Sequence, residues 1–428
     1  MDSRKQAGPG ALDPSFFNGM TLRNPDSGRD MMVTAVALDP QGRALVSTYL
    51  RTEDDSFIFR LLDNGLIDPT YGDNGFCRLP RHDDNLKGSP VPTKLVVSPD
   101  GSVTVVGFVY AFMGDLVYTV PASCRVLADG TLDTSYATDG LGLYPPLASR
   151  KASSAARRRA LRTLRHASKA SGLDQSRDGV IFVQDCRDED TGSLLKICVL
   201  RVRPDGSLDT SYGDKGFAGY PFPAYEFRPF DVDRKGQLLM GGSFADRSYV
   251  ARLTASGRPD PTFGRAGYAL IAEPPGVGSR SMRVRAVNAL DDGGMLVLSE
   301  ISQPGIASSS ITLTRLTRYG TKDGRFATSI VDVSPHGYSA RLVAIDDGGR
   351  PLVVGQRMRV GGPEFYMDIA VTRFLPNGSV DRQFGENGTA VHEGVFPADA
   401  AIAQGVKLFF ASNVQTYPPA SRLYRLLG

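Results

Sequence analysis

Tryptophan is absent from this 428-residue chain, and only four histidines and four cysteines are present. Without Trp, any stacking on a sugar falls to Tyr or Phe, as in "EFY" from Glu364. The histidines, His82, His166, His336 and His392, are scattered. There is no H-E-x-x-H, no G-x-S-x-G, no P-loop and no dinucleotide-type glycine fingerprint. No catalytic residue, metal site or cofactor is therefore assigned. Cys77, Cys124, Cys186 and Cys198 show no C-x-x-C spacing. Cys186 and Cys198 can face each other across a hairpin, but nothing marks an oxidising compartment, so free buried thiols are expected.

Long apolar runs are missing too. No stretch approaches the roughly 20 residues a transmembrane helix needs. The amino terminus, "MDSRKQAGPGALDPS", is polar and has no secretory core, which makes the cytoplasm the default expectation and leaves non-classical export open. The formal net charge is only +3, so no global field draws the chain toward nucleic acid or membrane. Local acidic stretches, "EDD" from Glu53 and "RDED" from Arg187, lack EF-hand spacing. "RHDDN" places His82 beside Asp83 and Asp84, a pattern that reads first as a solvated loop.

Glycine and proline are plentiful, 47 and 28 residues, and spread along the whole chain. They punctuate a repeat. "LIDPTYGDNGF" from Leu66 returns as "TLDTSYATDGL" from Thr131, "SLDTSYGDKGF" from Ser207, "RPDPTFGRAGY" from Arg258 and "SVDRQFGENGT" from Ser379. "ALDPSFFNGM" from Ala11 and a decayed "TKDGRFATSI" from Thr321 complete the set. The shared aspartates are Asp13, Asp68, Asp133, Asp209, Asp260, Asp323 and Asp381, separated by 55, 65, 76, 51, 63 and 58 residues. After Asp381, 47 residues remain, and the 13 residues up to Asp13 bring the total to 60. Six complete units plus one split across the two ends describe a closed ring.

Each unit has the same interior. In the first, "VTAVAL" meets the turn "DPQG", then "RALVSTYL", a variable loop, "FIFRLL", the motif and "GFCRLP". Short runs rich in Val, Leu, Ile and Phe, split by Asp-Gly or Asn-Gly, predict β-hairpins. Four strands in each of seven units predict an all-β, seven-bladed β-propeller. The strand "GMTLRN" near residue 20 is expected to pair with "SRLYRLL" in the carboxy-terminal blade and close the ring. Residues 1–10 are expected to form a flexible segment and 11–428 a single propeller domain.

The motif and its spacing resemble the delta-60 repeat family of bacterial proteins, from about residue 11 to the end. The resemblance implies a propeller-like β fold and no particular reaction, because that family is largely without assigned function. The residue types explain the motif as a turn. An aspartate carboxylate accepts nearby backbone N–H groups, Gly72, Gly213, Gly264 and Gly385 permit positive φ, and Phe16, Tyr71, Tyr136, Tyr212, Phe263, Phe326 and Phe384 are expected to wedge between blades. Catalysis needs a carboxylate once or twice, not seven times around a ring. The motif aspartates are therefore read as structural.

Alternation of strand direction puts the short repeated turns on one face and the variable connections on the other. Function is sought on the variable face. The longest insertion falls there, at about 146–172, and explains the 76-residue gap. From Arg150 to Lys169 it carries eight Lys or Arg and no Asp or Glu. Good helix formers from Ala155 to His166 make a helix presenting Arg157, Arg158, Arg159, Arg162 and Arg165, either as an anion- or partner-binding element or as a solvated helix or loop. Lys94, Arg228, Arg283, Arg285 and Arg341 lie in or beside the first strands that line the channel. Those that point inward would add to one positive funnel. The expected function is a non-catalytic binding or interaction scaffold whose protein or anionic partner meets the variable face. The competing readings are a hydrolase or lyase at the channel mouth, using loop carboxylates such as Asp83, and a structural part of a larger secreted or toxin-like assembly.

Overall fold

A computed structural model describes residues 8–82, 86–113, 116–144, 179–187, 194–220, 226–244, 247–272, 281–302, 309–332, 338–361, 364–393, 398–404, 407–414 and 420–427. Residues 1–7 and the basic insertion lie outside this set, so the expectations placed on them are neither met nor overturned. Among the described residues there are seven antiparallel sheets and no helix. Blade 1 comprises Met32–Leu38, Ala44–Leu50, Asp55–Leu61 and Phe76–Arg78. Blade 2 runs from Leu86–Val97 to Leu141–Leu143, and blade 3 shows Val180–Arg187, Leu194–Val202 and Phe217–Tyr220. Blades 4, 5 and 6 begin at Glu226–Val232, Ser281–Ala289 and Tyr338–Ile345.

Blade 7 is the composite unit. Ala398–Gln404, Lys407–Val414 and Ala420–Leu427 come from the carboxy terminus, and Met20–Thr21 adds the outer strand. Met20 pairs with Leu423 and Thr21 with Arg422. The predicted ring closure is thus present, and no sheet edge is left open between the first and last blades.

Burial follows from this stacking. In blade 1 the first strand alternates between half-buried and buried residues, whereas every residue of the second and third strands is buried. A blade in the middle of a ring has a neighbour on both faces, so its central strands read as continuous apolar runs. The core accordingly divides into seven clusters, one at each junction. Phe57 and Phe59 meet Phe409 between blades 1 and 7, and Tyr212 meets Leu238 and Met240 between blades 3 and 4. The largest residues at these junctions, fully buried Phe or Tyr, are each worth roughly 1.5–3 kcal/mol by transfer alone.

Candidate functional site

The motif lies between the third and fourth strands of each blade, all on one face. In blade 3, Asp209 Oδ1 accepts the Ser211 N–H at 3.0 Å and the Ser211 hydroxyl at 2.6 Å. Its Oδ2 accepts from Arg201 Nε at 2.7 Å. Arg201 Nη1 donates onward to the Ala255 carbonyl of blade 4 at 2.8 Å, and its guanidinium lies 5.1 Å above the Tyr212 ring. Burial pushes the Asp209 carboxyl up, but the Ser211 hydrogen bonds and Arg201 outweigh it and hold the group at about 2. The Ser211 hydroxyl is therefore a donor to the aspartate.

The same unit recurs as Arg60–Asp68 at 2.8 Å, Arg125–Asp133 at 2.6 Å, Arg252–Asp260 at 2.8 Å and Arg373–Asp381 at 2.8 Å. Across the chain ends Arg425 meets Asp13 at 2.8 Å. The arginines were missed in the sequence reading, although a signal was there. Each within-chain Arg stands eight residues before its Asp, with a glycine five residues after the Arg. That glycine belongs to the contact. Gly130 has φ +92°, and a Cβ on it would collide with the Gly72 nitrogen of blade 1. Backbone bonds then link each motif to the next: Gly72 to Asp129 (2.7 Å), Ala137 to Asp205 (2.8 Å), Gly213 to Ser256 (2.9 Å), Gly264 to Tyr319 (2.8 Å), Ala327 to Asn377 (2.6 Å), Gly385 to Pro9 (3.1 Å) and Phe17 to Asn64 (2.7 Å). The circle closes after seven steps. This face is a fastening, with its motif aspartates already paired.

The opposite face carries the variable connections. The acidic tip of blade 1 is occupied by protein partners: Glu53 accepts from Asn24 at 2.9 Å and Ser27 at 3.1 Å, Asp54 from Tyr49 at 2.7 Å, and Asp55 from Arg81 at 2.9 Å. Arg29 adds an ion pair to Glu53 at 3.2 Å. Of these, Glu53 clasps the amino-terminal segment to blade 1. Asp83 and Asp84 lie outside the described residues, as do His166, His336 and "DED" from Asp188. His392 Nε2 lies 3.0 Å from the Gly10 carbonyl, an anchor for the same amino-terminal segment. Cys77 and Cys124 are free and buried. Cys186 pairs with Lys196 and Cys198 with Gln184, so the two cysteines are offset by two residues instead of facing each other. Among the described residues no group of three or more His, Cys, Asp or Glu converges.

The five cations expected on the first strands fall into two sets. Arg228, Arg285 and Arg341 share one position. Each sits in a register irregularity, between Phe227 and Phe230, Val284 and Ala286, and Ala340 and Leu342, on blades 4, 5 and 6. Each lies four residues before its strand ends, in a β-bulge, a device that re-aims a side chain. Blade 1 has Thr34 and blade 2 Thr93 at this bulge. Arg285 donates to Glu300 at 2.9 Å, and Arg283 is exposed two residues earlier. Lys94 stands apart on blade 2. Burial pushes its ammonium down, opposed by the charge of Asp231 on blade 4. Burial in turn pushes Asp231 up, against Lys94 and the N–H of Ala289, which donates to Asp231 at 2.8 Å. Lys94 and Asp231 thus bring both signs together between blades 2 and 4, and the three arginines occupy one register position on the first strands of blades 4 to 6. Asp231 also borders a small cleft of about 150 Å³ with Arg234, Leu290 and Asp291 at the motif-side mouth.

The chain matches a family model described as a domain of unknown function (DUF5122), beta-propeller, over residues 236–263. This match supports a β-propeller repeat family. No curated protein matches. Among solved structures, the aldose sugar dehydrogenase of Streptomyces coelicolor is 16% identical, with 98% of this chain and 99% of that one covered and a TM-score of 0.36. The Nup133 β-propeller domain of Vanderwaltozyma polyspora is 8% identical, covering 92% and 94%, with a TM-score of 0.45. A xyloglucanase of Xanthomonas campestris is 13% identical, covering 94% of this chain and 52% of that one, with a TM-score of 0.46. Likenesses this distant do not carry an activity across.

Proposed function

We propose that this propeller is a non-catalytic binding scaffold of the delta-60 repeat type, and that an anionic partner meets its variable face. The observation that supports this reading most is the shared bulge position of Arg228, Arg285 and Arg341 on three consecutive first strands. A cation repeated at one register position on neighbouring inner strands makes an arc on one side of the channel. The basic insertion follows the fourth strand of blade 2, Leu141–Leu143, in the sequence, with eight further Lys or Arg between Arg150 and Lys169. Clustered cations above a low-dielectric ring concentrate anions and speed their capture.

The test is binding of the full chain to a soluble polyanion such as heparin at increasing salt, compared with Arg157→Ala/Arg158→Ala/Arg159→Ala and Arg341→Ala. Salt-sensitive binding that both variants weaken, with unchanged melting, is expected. Binding indifferent to both variants would remove this reading.

A further inference from the structure

We infer that the motif face docks on the motif face of a second copy of this chain, about a two-fold axis that runs through blade 3. The contact lies opposite the variable face and is independent of what that face binds. The turns between third and fourth strands repeat in backbone but not in charge. Apart from the motif aspartates, blade 1 exposes Asp63 and Asp73 there, and blade 2 exposes Asp129 and Asp139. Blade 3 carries both signs, Arg203 and Lys215 against Asp205 and Asp214. Blade 4 exposes Arg258 and Arg265, and blade 5 exposes Arg318, Lys322 and Arg325. Blade 6 has one of each sign, Arg382 and Glu386, and the blade 7 turn has no charge beyond Asp13. Asp63 accepts from buried Arg425 at 2.6 Å, and its side chain is still 84% exposed. The acids nearest the basic turns, Asp291 and Asp292, are already met by Arg234 and Arg315.

Two equal rings laid face to face about an axis in their plane form an isologous contact. With that axis through blade 3, blade 1 lies over blade 5 and blade 2 over blade 4. Each acidic sector then meets a basic one, twice. Blade 3, which carries both signs, meets its own copy, and the neutral turns of blades 6 and 7 meet each other. An axis through any other blade leaves at least one of the four charged blades without an opposite sign across from it. Such complementarity fixes register and excludes wrong partners.

The acidic sector also exposes apolar surface. Of eight large apolar residues exposed among the described residues, five lie on or beside blades 1 and 2: Phe17, Leu62, Leu66, Ile67 and Leu127. The Phe17 N–H donates to the Asn64 carbonyl at 2.7 Å and the Leu62 N–H to the Leu66 carbonyl at 2.8 Å, so the first four surround one turn. Leu127 opens the matching turn of blade 2, whose Asp129 carbonyl accepts from Gly72 of blade 1. The basic sector offers Tyr319, 52% exposed, with the Arg318 guanidinium 4.9 Å above its ring. Tyr319 holds on blade 5 the turn position that Asn64 holds on blade 1, so the axis sets it over the apolar cluster. Five such residues make a patch on the order of 300–400 Å². That is about half of the roughly 800 Å² each partner gives to a standard interface, whose remainder is polar rim. The charged turns form that rim.

The experiment is sedimentation velocity of the full chain over a concentration series, at about 0.1 M and about 1 M salt. A dimer that high salt weakens is expected. Two charge variants take residue types that sister blades already carry at the same positions, so each keeps its turn. Asp73→Arg/Asp139→Lys borrows the types found at Arg265 and Lys215, and Arg265→Asp/Arg318→Asp those found at Asp73 and Asp63. Each alone puts like signs across both contacts and should weaken the dimer at least about tenfold. An equimolar mixture of the two should recover the parent affinity, because each changed sector then meets its complement. Leu66→Ser/Leu127→Ser should also weaken the dimer about tenfold, and all variants should keep the circular dichroism of the parent. A parent that stays monomeric, charge variants that dimerise like the parent, or a mixture that does not recover would each overturn the inference. A monomeric parent whose heparin binding is lost in Arg265→Asp/Arg318→Asp would overturn it in favour of a polyanion on the basic sector.

Discussion

The two faces of the propeller are built on opposite plans. On the motif face the same Arg, Asp, aromatic and glycine recur from blade to blade, and the motif aspartates are paired with their arginines. On the variable face each blade differs, loops lengthen, and cations gather on some blades only. Repetition around a ring marks what every junction needs. Departure from repetition marks what only one sector does. The fifth blade shows the same lesson inside the motif face. There Arg315 lies 3.5 Å from Asp323 and donates instead to Asp292, and no Ser or Thr follows the aspartate. The backbone bond from Ala327 to Asn377 and buried Phe326 remain, so the junction persists with its charge pair loosened.

The largest expected effect comes from breaking a regular junction. Arg201→Ala leaves the buried Asp209 without its partner and the Ala255 carbonyl without its donor. It should cost about 3–5 kcal/mol in denaturant unfolding. Gly130→Ala places a side chain at positive φ against the backbone of the neighbouring blade and should cost about 2 kcal/mol or more. Acid sharpens the comparison further. The Asp209 pKa is depressed in the fold, so its contribution is full above the unfolded value near 4 and is lost as pH falls toward about 2. That contribution is about 2 kcal/mol, and Asp13, Asp68, Asp133 and Asp260 are shifted in the same direction. Melting curves between pH 5 and 2 should show a steep fall that Asp209→Asn makes shallower. Asp323→Ala, at the decayed fifth junction, should change stability by only a fraction of the Asp209→Ala effect. Arg157→Ala/Arg158→Ala/Arg159→Ala should leave melting unchanged.

The ring itself was legible because its signal repeats. Seven aspartates at near-regular spacing, most followed by a Ser, Thr or Gln and an aromatic, report the turn between third and fourth strands. The Asp-Gly and Asn-Gly hairpins report the strand count. The arginine partners were readable by the same rule, but they lie inside the apolar third strands, at "FIFRLL" and "VLRVRP", where a cation looks incidental. The candidate site was only partly legible. That Arg228, Arg285 and Arg341 share a bulge depends on register, which composition does not encode. That Lys94 works against Asp231 depends on ring geometry that brings blades 2 and 4 together. The acidic tip at Glu53 looked free because Asn24 and Arg29, its partners, arrive from the amino-terminal segment beyond the blade.

The central claim is that the motif face fastens the ring and the variable face binds. One paired measurement tests it: melting and heparin affinity of Asp209→Asn beside those of Arg157→Ala/Arg158→Ala/Arg159→Ala. The account predicts that the first variant melts earlier and binds normally while still folded, and that the second melts normally and binds weakly. A folded Asp209→Asn protein with unchanged melting and lost binding would contradict it.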